Sequence, residues 1–222
     1  MLADPKVARS LVKTAAAAGI ALSVMYPART FLPLPDKLSV AFFIYFGPLL
    51  VVAFVGLYPF LGKLGTSVPL ILATVFGVIA GVANTMFSVV QLNNLDYIFG
   101  YMKTAESPAA KEVWRNILNG VFTVQNGMNF ISDLFLDWTV FLYAVVMWRH
   151  PKFGRVFSVL GFLAAGSHFA MKNYTFPKPP SEAGLFDAGP LVGIWFALVT
   201  IQVLRHLAWM DNKTPETSAK PA

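Results

Sequence analysis

The stretch LSVAFFIYFGPLLVVAFVGLYPFL, residues 38–61, contains no aspartate, glutamate, lysine or arginine. A helix rises about 1.5 Å per residue, so this stretch is long enough to cross the roughly 30 Å of hydrocarbon in a bilayer. Similar apolar blocks recur along the 222 residues, and only 13% of the chain is charged, well below the share in a soluble domain. The sequence therefore predicts an integral membrane protein whose solvent is the lipid bilayer.

Six such blocks are separated by prolines, glycines and charged residues, which end helices. The first block follows Asp4 and Pro5, and its basic start resembles that of a signal peptide. We interpret this block as an uncleaved helix. Residues 1–211 are predicted to form one transmembrane helical domain, and residues 212–222 a disordered polar tail. The six predicted spans cover residues 7–25, 38–61, 68–91, 130–148, 155–171 and 190–210.

The longest polar interval, residues 93–120, separates the third span from the fourth. Within it, Ser107 and Pro108 are helix-starting residues and Gly120 is a helix-ending residue, so the sequence predicts a short separate helix here. We place this helix at the membrane interface, where aromatic side chains are enriched. The aromatic residues in question are Tyr97, Phe99, Tyr101 and Trp114. The predicted fold is therefore an all-α polytopic bundle of about six transmembrane helices with one interfacial helix.

The basic residues are distributed unevenly between the two sides of this arrangement. With the N-terminus inside, ten lie in the inner segments: Lys6, Arg9, Lys13, Lys63, Arg149, Lys152, Arg155, Arg205, Lys213 and Lys220. Seven lie in the outer segments: Arg29, Lys37, Lys103, Lys111, Arg115, Lys172 and Lys178. The positive-inside rule therefore predicts that both termini are cytoplasmic. The plan resembles that of small multi-pass bacterial membrane proteins, which implies the inner (cytoplasmic) membrane.

The composition also excludes several function classes. The chain has no cysteine, which excludes disulfides, thiolate catalysis and cysteine-ligated metal or iron–sulfur centres. The net charge of +6 comes from residues between the apolar blocks rather than from a basic stripe with interleaved aromatics, so nucleic acid is not a predicted partner. No nucleophile elbow, phosphate-binding loop or dinucleotide fingerprint occurs.

A polar stripe runs along the fourth span: Asn126, Asn129, Asp133 and Asp137 are spaced by three, four and four residues, which places them on one helix face. Counting back from Trp148 puts Asp137 roughly 16 Å deep, near the bilayer midplane. A carboxylate at that depth faces the bundle interior, where it is paired, protonated or hydrated. Two interpretations remain open, namely an ion, proton or substrate site and a structural hydrogen bond or helix cap.

Polar residues on neighbouring spans reach a similar level. His168 rises roughly 20 Å from the start of the fifth span, which is the level of Asp133, so these two side chains are predicted to meet. A histidine near a carboxylate can titrate in the physiological pH range. The predicted pocket in the outer half of the bundle comprises Asn84, Gln91, Asn126, Asn129, Asp133, Asp137, His168 and Lys172.

Metal and haem binding are both disfavoured by the spacing of the candidate ligands. One histidine and two aspartates lack a recognised metal-binding spacing, so no metal site is predicted. Only His150 and His206 fall at the same membrane level and could share a haem iron. Because each follows an arginine, we interpret them as interfacial residues of a basic inner rim.

Three functions remain in competition. The first is a transporter-like protein that binds an ion or small solute in the outer pocket. The second is an accessory or assembly subunit of a larger membrane complex, or a homo-oligomer, with the small residues Ala15, Gly19, Gly77 and Gly81 and the helix at residues 108–119 as docking surfaces. The third is a membrane-embedded enzyme acting on a lipid or hydrophobic small molecule. This is disfavoured because six spans leave no room for a soluble catalytic domain.

Overall fold

The computed structural model describes residues 4–211, so the tail predicted for residues 212–222 lies outside the described residues. Within this range the regular elements are helices and no strand occurs. The helices are α1 (Pro5–Phe31), α2 (Asp36–Leu61), α3 (Val68–Asn93), α4 (Phe99–Thr104), α5 (Pro108–Met147), α6 (Gly154–Thr175) and α7 (Gly189–Arg205), with short 3-10 segments at Gly62–Leu64, Pro180–Ala183 and Leu207–Asp211. Four of the helical segments, Pro5–Ala28, Asp36–Leu64, Val68–Thr104 and Pro108–Met147, are long and apolar enough to cross a membrane. The prediction of an all-helical protein with helices long and apolar enough to cross a membrane is confirmed.

Local sequence explains where the helices begin. The Asp4 carboxylate accepts a hydrogen bond from the Lys6 N–H at 2.8 Å, and Pro5 occupies the first position of α1, where no N–H is needed. Ser107 caps α5 in the same way by accepting from the Ala110 N–H at 3.1 Å. Short connections between most of the long helices make consecutive helices antiparallel, as expected for a bundle.

The six long helices close into a ring. Going around it, α1 packs on α2, α2 on α3, α3 on α5, α5 on α6, α6 on α7, and α7 returns to α1. Aromatic side chains fill the centre: the Phe54 ring lies 5.3 Å from that of Phe196 and 6.0 Å from that of Tyr143. These rings are almost fully buried, so the middle of the bundle is a packed core rather than a pore.

The Tyr143 hydroxyl ties this core to two neighbouring helices. It donates a hydrogen bond to the Phe54 carbonyl of α2 at 2.8 Å and lies 3.3 Å from the Thr74 hydroxyl of α3. We expect Tyr143→Phe to lower the free energy of unfolding by about 0.5–1.5 kcal/mol, because it removes these bonds without changing the ring packing. Detergent titration of the purified protein measures this. Tyr45→Phe, at an exposed tyrosine of α2, is the matched control and should change nothing.

Small residues let the helices approach closely. A Cβ added at Gly47 of α2 would lie 2.4 Å from the Gly81 carbonyl oxygen of α3, and one at Gly56 would lie 2.1 Å from the Ala15 Cβ of α1. Gly77 packs in the same way against the Phe54 ring, and Gly19 against Thr200. The small residues that the sequence predicted as docking surfaces are therefore occupied inside the bundle itself.

The prediction of a separate interfacial helix after the third span is wrong. The structure has one continuous 40-residue helix, α5, which includes both the predicted interfacial segment and the fourth span. Opposite it, α3 continues through a π-helical turn, Asn94–Ile98, into α4. The polar residues stay helical because two arms pack on each other: residues 94–104, which extend α3, and the first half of α5. The Asn94 amide donates to the Gln125 side-chain oxygen at 3.1 Å in a buried pair. The rings of Tyr101 and Trp114 stack at 4.7 Å, so these two aromatics join the arms.

The ring has two distinct ends. The basal end contains the segments Gly62–Leu64, Trp148–Phe153 and Leu207–Asp211, and the first two both contact the third. Lys63 donates to the Trp209 carbonyl, and the His150 ring lies 5.2 Å from that of Trp209. The opposite end, called the hairpin end, contains α4, the start of α5 and the loop between α6 and α7.

Candidate functional site

Two polar pairs connect α5 to α6. The Asp137 Oδ1 atom lies 2.8 Å from His168 Nδ1, and both side chains are at most 4% exposed. One helical turn nearer the hairpin end, the Asp133 carboxylate lies 2.7 Å from the Lys172 ammonium group, where the side chains are 17% and 12% exposed. Asp133 and Asp137 are four residues apart on α5, as are His168 and Lys172 on α6, so each two share a helix face. Because the helices are antiparallel, the two pairs are stacked along the interface between α5 and α6.

The predicted contact between His168 and Asp133 is therefore wrong by one helical turn. The prediction started α6 at the level where α5 ends. In the structure Asp137 lies ten residues from the end of α5, whereas His168 lies fourteen from the start of α6, so α6 begins roughly 6 Å further towards the basal end. This offset brings His168 level with Asp137 and Lys172 level with Asp133.

Close packing holds this register. A Cβ added at Gly161 of α6 would lie 2.9 Å from the Ala144 Cβ of α5. The Trp195 Nε1–H of α7 donates to the Phe157 carbonyl of α6 at 2.8 Å, which braces α6 from its other side. The polar pairs therefore form between helices whose relative position is set by tight contacts nearer the basal end.

Asparagines extend the polar region towards the hairpin end. The Asn129 amide donates to Asp133 Oδ2 at 3.3 Å. Beyond it, Asn126, Asn129 and Lys172 line a small open depression. Its remaining walls are Phe130, Phe176, Pro177, Lys178 and Pro179. The structure therefore brings together six of the predicted site residues, from an exposed asparagine to a buried Asp–His pair.

The other two predicted site residues, Asn84 and Gln91, lie on α3. The structure confirms that α3 and α5 are neighbours, since the Ser132 hydroxyl of α5 donates to the Ala80 carbonyl of α3 at 3.2 Å. However, no hydrogen bond among the described residues connects Asn84 or Gln91 with the pairs between α5 and α6. Their side-chain carbonyl oxygens are buried and lack a partner among residues 4–211.

Asp187 is a site residue that the sequence prediction missed. Its Oδ1 atom lies 4.0 Å from His168 Nε2, on the opposite side of the ring from Asp137, and accepts the Gly189 N–H at 2.9 Å. Its side chain is 49% exposed. The sequence offers no signal for this position, because Asp187 lies in the loop before α7, outside any helical periodicity.

No protein-family model matches the chain. Searches of curated proteins and of solved structures find no similar protein either. Among residues 4–211, no group of three or more histidine, aspartate or glutamate side chains is arranged to hold a metal ion. The residues of the site themselves offer proton transfer, hydrogen bonding and charge pairing.

The two histidines considered for haem lie at the basal end. The His150 ring packs among Phe60, Phe153 and Trp209, and its Nδ1 atom accepts the Lys152 N–H at 3.3 Å. Burial lowers the pKa of His150 to about 4, against the opposing effect of the Phe60 backbone. His206 Nδ1 lies 3.0 Å from the Gln202 carbonyl, as expected for a ring that donates to its own helix. Both rings have local packing and hydrogen-bonding roles.

Proposed function

We propose that this chain is a six-span membrane protein that binds a small polar solute or ion from the hairpin end, in the manner of a transporter. The observation that carries the proposal is the buried Asp137–His168 pair, which lies one helical turn from the Asp133–Lys172 pair. Lys172 and Asn129 in turn line an open depression. A bundle held together only by packing has no need for two carboxylates and their partners between α5 and α6. Ionisable groups within membrane spans are characteristic of substrate, ion and proton pathways.

The depth of these groups supports this proposal. Asp137 lies ten residues from the end of α5, or roughly 15 Å from the basal boundary and half-way across the hydrocarbon. The Phe54, Tyr143 and Phe196 rings lie in the core that packs the middle of the bundle. The depression thus opens at the hairpin end while aromatic side chains pack the centre of the bundle, as expected for one state of an alternating-access cycle.

In this proposal α6 and α7 also cross the bilayer, both termini are cytoplasmic, and the basal end faces the cytoplasm of a bacterial cell. The basal end carries the described basic residues Lys63, Arg149, Lys152 and Arg155 around its turns, in agreement with the positive-inside rule. The hairpin end then faces outward. Because α5 is about 60 Å long, roughly half of it projects beyond the membrane together with α4.

The competing functions have less support. Docking through Ala15, Gly19, Gly77 and Gly81 is disfavoured because these residues already pack inside the bundle. A subunit role would have to use the projecting arms of α4 and α5 instead. An enzyme acting on lipid has no observation of its own beyond the polar pairs, which solute binding explains equally well.

Substitution of Asp137 tests the proposal. Purified wild-type protein and Asp137→Asn are screened by thermal unfolding with alkali cations, inorganic anions, small carboxylates and small amines. A bound probe at 1,000 times its dissociation constant stabilises the folded state by about 4 kcal/mol, so one probe class should raise the unfolding temperature of the wild type. We expect Asp137→Asn to fold, because an amide retains hydrogen-bonding capacity towards His168, but to lose that shift.

Asp96→Asn, at an exposed carboxylate of the π-helical turn, is the matched control and should respond as the wild type does. Stabilisation of the wild type by none of the four probe classes would contradict the proposal. An equal shift in wild type and Asp137→Asn would place the binding site elsewhere.

A further inference from the structure

Three titratable groups form a line between the surface and the middle of the bundle. Asp187 is half exposed, its carboxylate faces His168 Nε2 at 4.0 Å, and His168 Nδ1 contacts Asp137 at 2.8 Å. The exposed fraction of the side chains falls from 49% to 3% and 4% along this line. One imidazole thus has a carboxylate at each nitrogen, with one carboxylate half exposed and the other buried.

We propose that Asp187, His168 and Asp137 form a proton relay from the half-exposed loop before α7 to the solute site, so that the protein binds its solute together with a proton. This deepens the proposed function, on which it rests, by naming the proton as a co-substrate. An imidazole is suited to the central position because it can accept a proton at one nitrogen while releasing another from the opposite nitrogen.

The proton crosses His168 in two steps, first binding at Nε2 and then leaving from Nδ1. His168 starts neutral, with its Nδ1–H donated to the Asp137 carboxylate and its Nε2 unprotonated. A proton from water binds to Asp187 and passes to Nε2, which makes His168 an imidazolium ion and returns Asp187 to a carboxylate. The imidazolium then releases the Nδ1 proton to Asp137. Asp137 ends as a neutral carboxylic acid and His168 as the neutral Nε2–H tautomer.

The gap between Asp187 and His168 is compatible with this route. A separation of 4.0 Å is closed by a small movement of the half-exposed carboxylate or by one bridging water. Gly189 permits the approach: a Cβ added there would lie 3.2 Å from Asp187 Oδ1 and 3.6 Å from His168 Nε2. A side chain at position 189 would therefore crowd the point where the proton passes.

The other charged groups near the relay belong to the second pair. Asp133 on α5 and Lys172 on α6 lie one turn nearer the hairpin end and largely neutralise each other at 2.7 Å. The neighbouring helix α3 has no charged side chain, and the single charged residue of α7, Arg205, lies at its opposite end. Asp187 is therefore the one carboxylate among residues 4–211 recorded within 4.0 Å of His168 Nε2.

Infrared spectroscopy in lipid nanodiscs tests the relay directly and needs no solute. After rapid acidification, the carbonyl band of protonated Asp137 is identified by its absence in Asp137→Asn, and its rate of appearance is measured. Removing the exposed carboxylate in Asp187→Asn should slow protonation at least about tenfold without changing its final extent, because a surface carboxylate concentrates protons at the entrance. Asp187→Glu should restore the rate.

Gly189→Ala should slow protonation in the same way as Asp187→Asn. Gly193→Ala, where an added Cβ meets no atom within 4 Å, is the matched control and should behave as the wild type does. Wild-type rates in Asp187→Asn, or the absence of an Asp137 band across the accessible pH range, would overturn the relay. Neither result affects the solute-binding screen, so the two proposals fail separately.

Discussion

Replacing His168 by leucine is expected to lower the free energy of unfolding by about 3–5 kcal/mol, the largest effect of any single substitution at the site. The reason is the carboxylate that remains. Asp137 is 4% exposed and its hydrogen-bond partner is His168, so without the imidazole the buried carboxylate is left without that partner. Detergent titration or steric trapping in bicelles measures the loss as a shift in the unfolding midpoint.

The double variant Asp137→Leu with His168→Leu is the decisive comparison. Removing both side chains leaves no buried polar group without a partner, so most of the lost free energy of unfolding should be restored. Solute binding should not be restored. Lys172→Met breaks the neighbouring pair, which is more exposed, and should cost only about 1 kcal/mol because water screens the remaining carboxylate. An effect of His168→Leu no larger than that of Lys172→Met would show that Asp137 is hydrated in the folded protein.

Substitution of Gly47 by alanine is expected to lower the free energy of unfolding by about 3 kcal/mol. The added Cβ would lie 2.4 Å from the Gly81 carbonyl oxygen and 2.8 Å from the Thr85 N atom. Both atoms belong to the backbone of α3, so no side-chain rotation relieves the clash and α2 must move away by roughly 1 Å. The same detergent titration reports the loss.

Gly127→Ala in α5 is the matched control, because its added Cβ meets no atom within 4 Å. It should leave stability unchanged or raise it slightly, since alanine has a higher helix propensity than glycine. Equal stability of the two alanine variants would mean that α2 and α3 are not held at their close separation.

The sequence predicts the helices well where hydropathy alone defines them. The stretch at residues 38–61 corresponds to α2 as observed, because a lipid-length apolar run has few alternatives. The sequence-based prediction fails at residues 93–120, where it placed a loop and a separate helix. Pair-specific contacts such as Asn94 with Gln125 and Tyr101 with Trp114 keep both arms helical there, and hydropathy carries no information about such contacts.

The site is likewise predicted correctly where helix geometry alone decides and wrongly where contacts between helices decide. The spacing of Asn129, Asp133 and Asp137 correctly predicts a shared helix face, since spacing depends only on helix geometry. The choice of partner depends on how far α6 is offset along α5, and one turn of offset exchanges Asp133 for Asp137 opposite His168. Asp187 was missed because a loop residue has no periodicity from which its position could be read.

The antiparallel pairing of α5 with α6 also bears on how the chain enters the membrane during synthesis. Alone, α5 would bring two carboxylates into hydrocarbon, each at a cost of about 2.5–3.5 kcal/mol on insertion scales. Their partners His168 and Lys172 are on the next helix to leave the ribosome, joined by the short turn Trp148–Phe153. Partitioning into lipid as a preassembled unit, with Asp137 hydrogen-bonded to His168 and Asp133 paired with Lys172, lowers that cost and favours co-insertion of the two helices over their entry one at a time.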